Sequence, residues 1–303
     1  MPNLNTILDE IQREQTAGET HAATAVDRIR RHYLAQLSKH TGRNIIAYYS
    51  GFLSKPNGAI DINDEDKNGF MSAIHGLDRS KGLDLLLHTP GGDIASTQSI
   101  VDYLHKMFNS DIRAFIPQIA MSAGTMIACS CKEIWMGKQS NLGPIDPHLN
   151  GIPAYGVLAE FKKACKEAKD PMKAEMWGRI ISQYRPTFLS RCENAITWSN
   201  SFVEQQLTDV MFKGVPKGAS LAKSIVKKLA NFPSNRTHSR HIHYDECLKM
   251  GLRVKELESD QTLQDLVLTV HHCYMNVFMT GPCYKAIENH QGIALFRMLQ
   301  AKA

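Results

Sequence analysis

The residues best suited to chemistry sit in two turns. The first turn ends the stretch Leu85-Leu86-Leu87-His88-Thr89-Pro90-Gly91-Gly92-Asp93-Ile94. Its apolar run reads as a buried strand, which Thr-Pro-Gly-Gly cannot continue. The two glycines let backbone N–H groups point outward. A helical pattern follows, with Ile94, Val101, Leu104 and Phe108 on one face. The second turn follows the strand-like run Ile112–Ile116. Here Met121-Ser122-Ala123-Gly124 leads into the small residues Thr125 to Ser130, which puts Ser122 in a strand-to-helix corner that another chain can approach. One corner offers N–H donors and the other a hydroxyl, and an acyl-transfer site needs both. The plainer reading of Ser122 is a small residue at a tight packing point.

The elements around these corners follow from periodicity. Residues 1–40 read as an amphipathic helical arm, broken near Gly18. Asn44–Ser50 reads as a β-branched and aromatic strand. Lys55-Pro-Asn-Gly58 is a turn, and a helix with carboxylates in its first turn starts after Asn63. Glu133–Met136 is a short strand. Helices are expected over 154–169, from Met172 to Tyr184, toward Trp198, over 201–213, over 219–230 and over 245–250. Leu252–Leu257 reads as a strand, Thr262–Met279 as a last helix and Phe232–Asn235 as a break. Strands alternate with helices to residue 150, which implies an α/β class with mostly parallel strands.

At 303 residues, with 43% hydrophobic and 21% charged residues, the chain is globular and can bury one large core. A net charge of +5 without a dense Lys/Arg block argues against a nucleic-acid partner. Lys162, Lys163, Lys166 and Lys169 fall at helical spacing and read as a solvated face. Seven scattered cysteines point to reduced thiols and a cytoplasmic location. Cys129-x-Cys131 reads as packing behind Ser122. No leader peptide and no integral membrane segment are expected.

Thr89-Pro90-Gly91-Gly92-Asp93, then Met121-Ser122-Ala123-Gly124-Thr125, then Leu142-Gly143-Pro144-Ile145-Asp146-Pro147 together resemble the serine dehydrogenase proteinase family. That family is similar to signal peptide peptidase A and, more distantly, to Clp protease subunits and the crotonases. The resemblance implies an α/β fold of the Clp/crotonase type, a spiral of ββα units, here with added N- and C-terminal helices. It implies a peptidase domain over 41–275, leaving 276–303 as a C-terminal tail. Ser122 would be the nucleophile, and the N–H groups of Gly92 and Ala123 the oxyanion hole. Substrate would lie by the Pro-Gly-Gly loop, with Gly91 and Asp93 in contact.

The base is less direct. His148 lies 26 positions after Ser122, near the spacing of the Clp histidine. Laying Ile145-Asp146-Pro147 over the Clp motif, however, puts Asp146 in the histidine's place. In signal peptide peptidase A the base is a lysine, and Lys173, 51 positions on, matches its spacing. Lys173 is therefore the expected base and His148 the alternative, on condition that burial keeps the lysine neutral. Asp146 reads as part of a Pro-x-Pro turn. His238, His241 and His243 lack an obvious fourth zinc ligand, Thr237-His238 suits a structural or subunit contact, and His271-His272 read as surface.

The expected activity is serine peptidase action on unfolded chains or peptides through a Ser–Lys dyad. No metal and no organic cofactor are expected. By analogy the chain would be a homo-oligomer, trimer-based or a ring. A crotonase-like thioester enzyme and a noncatalytic scaffold are the rivals.

Overall fold

The two runs that read most clearly as strands lie side by side. The computed structural model describes residues 4–18, 22–149, 151–230 and 237–299, and the Phe232–Asn235 break lies outside these. Strands β1 (Asn44–Ser50) and β2 (Leu83–His88) are parallel and buried at every residue, so both read as continuous apolar runs rather than as alternation. The strands β3 (Ile112–Ile116), β4 (Ile119–Ala120), β5 (Glu133–Met136), β6 (Asn141–Leu142), β7 (His148–Leu149), β8 (Ile152–Pro153), β9 (Ile242–His243), β10 (Val254–Glu256), β11 (Cys283–Asn289) and β12 (Ala294–Met298) follow. The main sheet runs β10-β5-β3-β2-β1-β11-β12. Its first five strands are parallel; β11 pairs antiparallel with β1, and β12 antiparallel with β11. A small second sheet, β4-β6-β9, stands beside the strand ends, and β7 and β8 form a hairpin.

The described α-helices are α1 (Leu4–Gly18), α2 (Ala22–Thr41), α3 (Asp66–Ile74), α4 (Ile94–Phe108), α5 (Ala123–Cys129), α6 (Ala154–Glu167), α7 (Pro171–Ile181), α8 (Phe188–Gln206), α9 (Gly218–Leu229), α10 (Tyr244–Met250) and α11 (Gln261–Thr280). They cover both faces of the sheet, as βα crossovers require. Alternation along each strand assigns its side chains to one face or the other. Ile46, Tyr48, Leu85, Leu87, Ala114 and Ile116 join the core under α3, α4 and α5. Ile45, Ala47, Tyr49, Leu86 and Phe115 join the core under α2 and α11. Among the described residues no helix is long and apolar enough to cross a membrane.

Two expectations change. Residues past 275 are not a tail: the expected boundary falls inside α11, and β11 pairs with β1 in the main sheet. His271 is not on the surface; it is buried on α11 against Tyr49 and His88. One exposed-looking polar residue on an apolar helix face cannot be told from a buried one by periodicity alone.

Candidate active site

The two corners found in the sequence meet. Thr89 N–H donates to Ile119 O at 3.1 Å, and Met121 N–H donates to Thr89 O at 3.0 Å. These bonds clip the end of β2 to β4. A Cβ added at Gly91, which has φ +104°, would lie 2.7 Å from Ser122 Cβ and 3.0 Å from Ala123 N. Only glycine permits that approach. The corner is held from its other side by Ile62: its N–H donates to Gly91 O at 2.8 Å, and its carbonyl accepts from Asp93 N at 2.9 Å. A Cβ at Gly92 would strike the Ile62 backbone at 2.2 Å. Neighbouring peptides are thus engaged, whereas no intramolecular acceptor is found for the Gly92 N–H among the described residues.

Gly124 N–H donates to Met121 O at 2.7 Å, which closes a four-residue turn around Ser122. Ser122 has φ 52° and ψ −115°, backbone angles that glycine adopts freely and a serine adopts under strain. The turn holds the side chain at the start of α5, half-buried, beside the N–H of Ala123, for which no acceptor is found among the described residues. A strained strand-to-helix turn is how a nucleophile is lifted clear of its own backbone. Behind it Cys129 and Cys131 are buried packing groups, and burial pushes both thiols up.

The chain returns to this corner through β6, whose Leu142 pairs with Ala120. Gly143 N–H donates to Thr125 Oγ1 at 2.9 Å, and a Cβ on Gly143 would meet Met121. Three residues further, a tether of at most about 10 Å, stands Asp146, 1% exposed. The carboxylate can only accept, so the two imidazoles that reach it each donate a hydrogen. His238 Nδ1 donates to Oδ1 at 3.0 Å, and His148 Nε2 donates to Oδ2 at 3.3 Å. The rings lie 4.1 Å apart between centroids. Burial alone would raise the Asp146 pKa, but the bonds from His148 and His238 outweigh it and hold the carboxyl below its ordinary value.

This geometry accords with what the sequence matches. Residues 23–267 match the ClpP-like SDH-type serine proteinases. The chain belongs to that family. Two uncharacterised proteins of Methanocaldococcus jannaschii are similar to this SDH-type chain. MJ0137 is 30% identical over 70% of this chain and 65% of its own length. MJ1495 is 28% identical over 64% of this chain and 59% of its own length. The chain therefore spans less than two thirds of either relative.

The remaining expected residues of this SDH-type chain stand elsewhere or act differently. Lys173 is exposed in the first turn of α7, a helix that packs on α6 through Trp177. The burial that a lysine base requires is absent there. No hydrogen bond or ion pair joins Lys173 to the Ser122 turn among the described residues. Asp93 is exposed, and its Oδ1 accepts from Ser96 N at 2.8 Å, which caps α4. Asp146 is more than a turn residue, since it gathers both histidines. His241 and His243 are exposed and apart from the cluster, so the histidines that do converge are His148 and His238. Sequence reasoning read His238 as a structural or subunit contact and missed its contact with Asp146, because that partner lies 92 positions away. Its one signal was Asp146 standing in the place of the Clp histidine, which left the imidazole to come from another segment.

Proposed function

We propose that the protein is a serine peptidase in which Ser122 is the nucleophile, His238 the general base and Asp146 the residue that orients it. Gly92 and Ala123 hold the oxyanion on their N–H groups. The observation that carries this reading is the docking of the Gly91 corner on Ser122, which brings a strained hydroxyl-bearing turn against two peptide N–H groups, of Gly92 and Ala123, that have no acceptor among the described residues. His238 is favoured over His148 by tautomer. With Nδ1–H on Asp146, its Nε2 keeps a lone pair, the arrangement a serine–histidine–aspartate triad uses. His148 turns its Nε2 to the carboxylate instead. Lys173, exposed on α7, gives way to His238.

In this mechanism Ser122 Oγ bonds to the carbonyl carbon as its proton passes to His238 Nε2. The negative charge that develops on the carbonyl oxygen falls between the Gly92 and Ala123 N–H groups. Breakage of the C–N bond returns the proton from Nε2 to the leaving amine. Water repeats the two steps and frees Ser122. An extended peptide beside Gly91–Asp93 is the fitting substrate, since Gly91 leaves that edge bare of side chains. The spiral of ββα units, a trimer-based or ring homo-oligomer and a cytoplasmic setting belong to the same reading.

A fluorophosphonate applied to the intact chain tests it. Labelling at Ser122 is expected, to be lost in Ser122→Ala and cut about 10³-fold or more in His238→Ala. Lys173→Ala should label like the parent. A folded chain that never labels points to a noncatalytic scaffold. Labelling that needs Lys173 but not His238 returns the base to the lysine.

A further inference from the structure

A hydrolytic triad needs one imidazole on its carboxylate, and Asp146 carries two. The second, His148, has no part in the peptidase reading. We propose that Asp146, His148 and His238 bind one divalent transition-metal ion of the zinc type, and that the ion switches the peptidase off.

The donor atoms of the three residues lie within 4.8 Å of one another. His238 Nδ1 lies 3.0 Å from Asp146 Oδ1 and His148 Nε2 lies 3.3 Å from Oδ2; zinc–ligand bonds of about 2.0–2.1 Å give tetrahedral edges of roughly 3.3 Å, so a small turn of the carboxylate that offers one oxygen to both rings completes the site. Two ring nitrogens and one carboxylate form a borderline donor set. It suits zinc and its neighbours better than calcium or magnesium, which take oxygen ligands. The carboxylate is 1% exposed, while the rings are 27% and 25% exposed. The ion would thus sit on a buried anchor, with the solvent side open for entry and for water as fourth ligand. The anchor is itself fixed, since Ile145 O accepts from Ser199 Oγ at 2.8 Å and Ile145 N–H donates to Leu229 O at 3.3 Å.

The consequence for catalysis rests on the peptidase reading. An ion on His238 Nδ1 takes the lone pair of that nitrogen. The neutral ring's single hydrogen must then move, through water, to Nε2. Nε2 is the atom that would accept the Ser122 proton, so the metal-bound ring is no longer a base. His148 shifts its hydrogen from Nε2 to Nδ1 in the same way, and no net proton is released by the two neutral rings.

The test uses the full chain, stripped with EDTA and dialysed against zinc. About one zinc per chain is expected, bound equally by Ser122→Ala and weakened about 10–100-fold or more in His148→Ala and in His148→Asn. Circular dichroism checks that both variants are folded. Saturating zinc should suppress fluorophosphonate labelling of the parent about tenfold or more, and EDTA should restore it. No saturable binding, or equal binding by the His148 variants, overturns the site. Unchanged labelling at full occupancy overturns the switch. Metal-free protein that never labels overturns the peptidase reading instead, and dialysis alone then decides the site.

Discussion

Ser122 carries its backbone at φ 52° and ψ −115°, and such a residue costs about 1–3 kcal/mol of strain. Ser122→Gly releases that strain against roughly 0.5–1 kcal/mol of added unfolded-state entropy. Ser122→Gly should therefore melt above Ser122→Ala in differential scanning calorimetry, although both lose the hydroxyl. Equal melting temperatures would mean the turn relaxes in the free protein. At the neighbouring corner, Gly92→Ala drives a Cβ into the Ile62 backbone and tilts the peptide whose N–H is free. Loss of one oxyanion donor costs about 10²–10³ in rate, and a fall of that size in labelling rate, with circular dichroism unchanged, is the expected result. Ser122, Gly91 and Gly92 were legible in the sequence because glycines and a serine at strand ends betray their local geometry. His238 was not, because nothing local distinguishes an imidazole that meets a carboxylate 92 positions away.

Helices and strands were read from periodicity, and β1, β3 and β5 occupy the runs expected of them. Periodicity says nothing about which elements touch. The N-terminal arm read as an amphipathic helical pair with no stated contact, and Arg30 on α2 is fully buried against Glu288 on β11. Arg30 Nε donates to Glu288 Oε2 at 2.6 Å, and Tyr274 on α11 donates to the same oxygen at 2.8 Å. Glu288 is likewise 0% exposed. Arg30→Met removes the buried cation and leaves Glu288 with the partly exposed Arg31, 3.1 Å away, as counter-ion, so the cost is expected to approach, and not exceed, the about 3–5 kcal/mol of a fully broken buried pair. Replacing both, as Arg30→Met with Glu288→Leu, should recover most of the loss. Urea unfolding of the parent, single and double variants reads this directly. An Arg30→Met midpoint equal to the parent's would show that the arm does not depend on the pair.

Across the whole molecule, the sheet divides two apolar cores, and the α11 side encloses polar groups without hydrogen-bond partners among the described residues. Among the described residues, neither buried ring nitrogen of His88 at the end of β2 has a hydrogen-bond partner, nor has the Tyr49 hydroxyl beside it. Burial pushes the His88 pKa down to about 3. Burial also lowers His271, with His88 and His272 adding to the effect. In the unfolded chain a histidine ionises near 6.5. Between that value and about 3 the unfolded state takes up a proton that folded His88 refuses. The stability due to neutral His88 is therefore complete above about pH 6.5 and falls by up to ~1.4 kcal/mol per pH unit below it. His88→Leu should flatten the pH dependence of urea stability between about pH 6.5 and 4.5. Parallel curves for variant and parent would remove His88 as the cause.

Local patterns settled the class of the fold and the two corners. Alternation, turn chemistry and helix phase are properties of neighbouring residues, so they can be read in order along a chain. Contacts between distant segments settled the rest: β11 beside β1 in the main sheet, Arg30 against Glu288, His271 in the interior, and Asp146 between two imidazoles. Those pairings depend on how the sheet closes and which faces it buries, and that choice is made by the sum of burial over the entire chain.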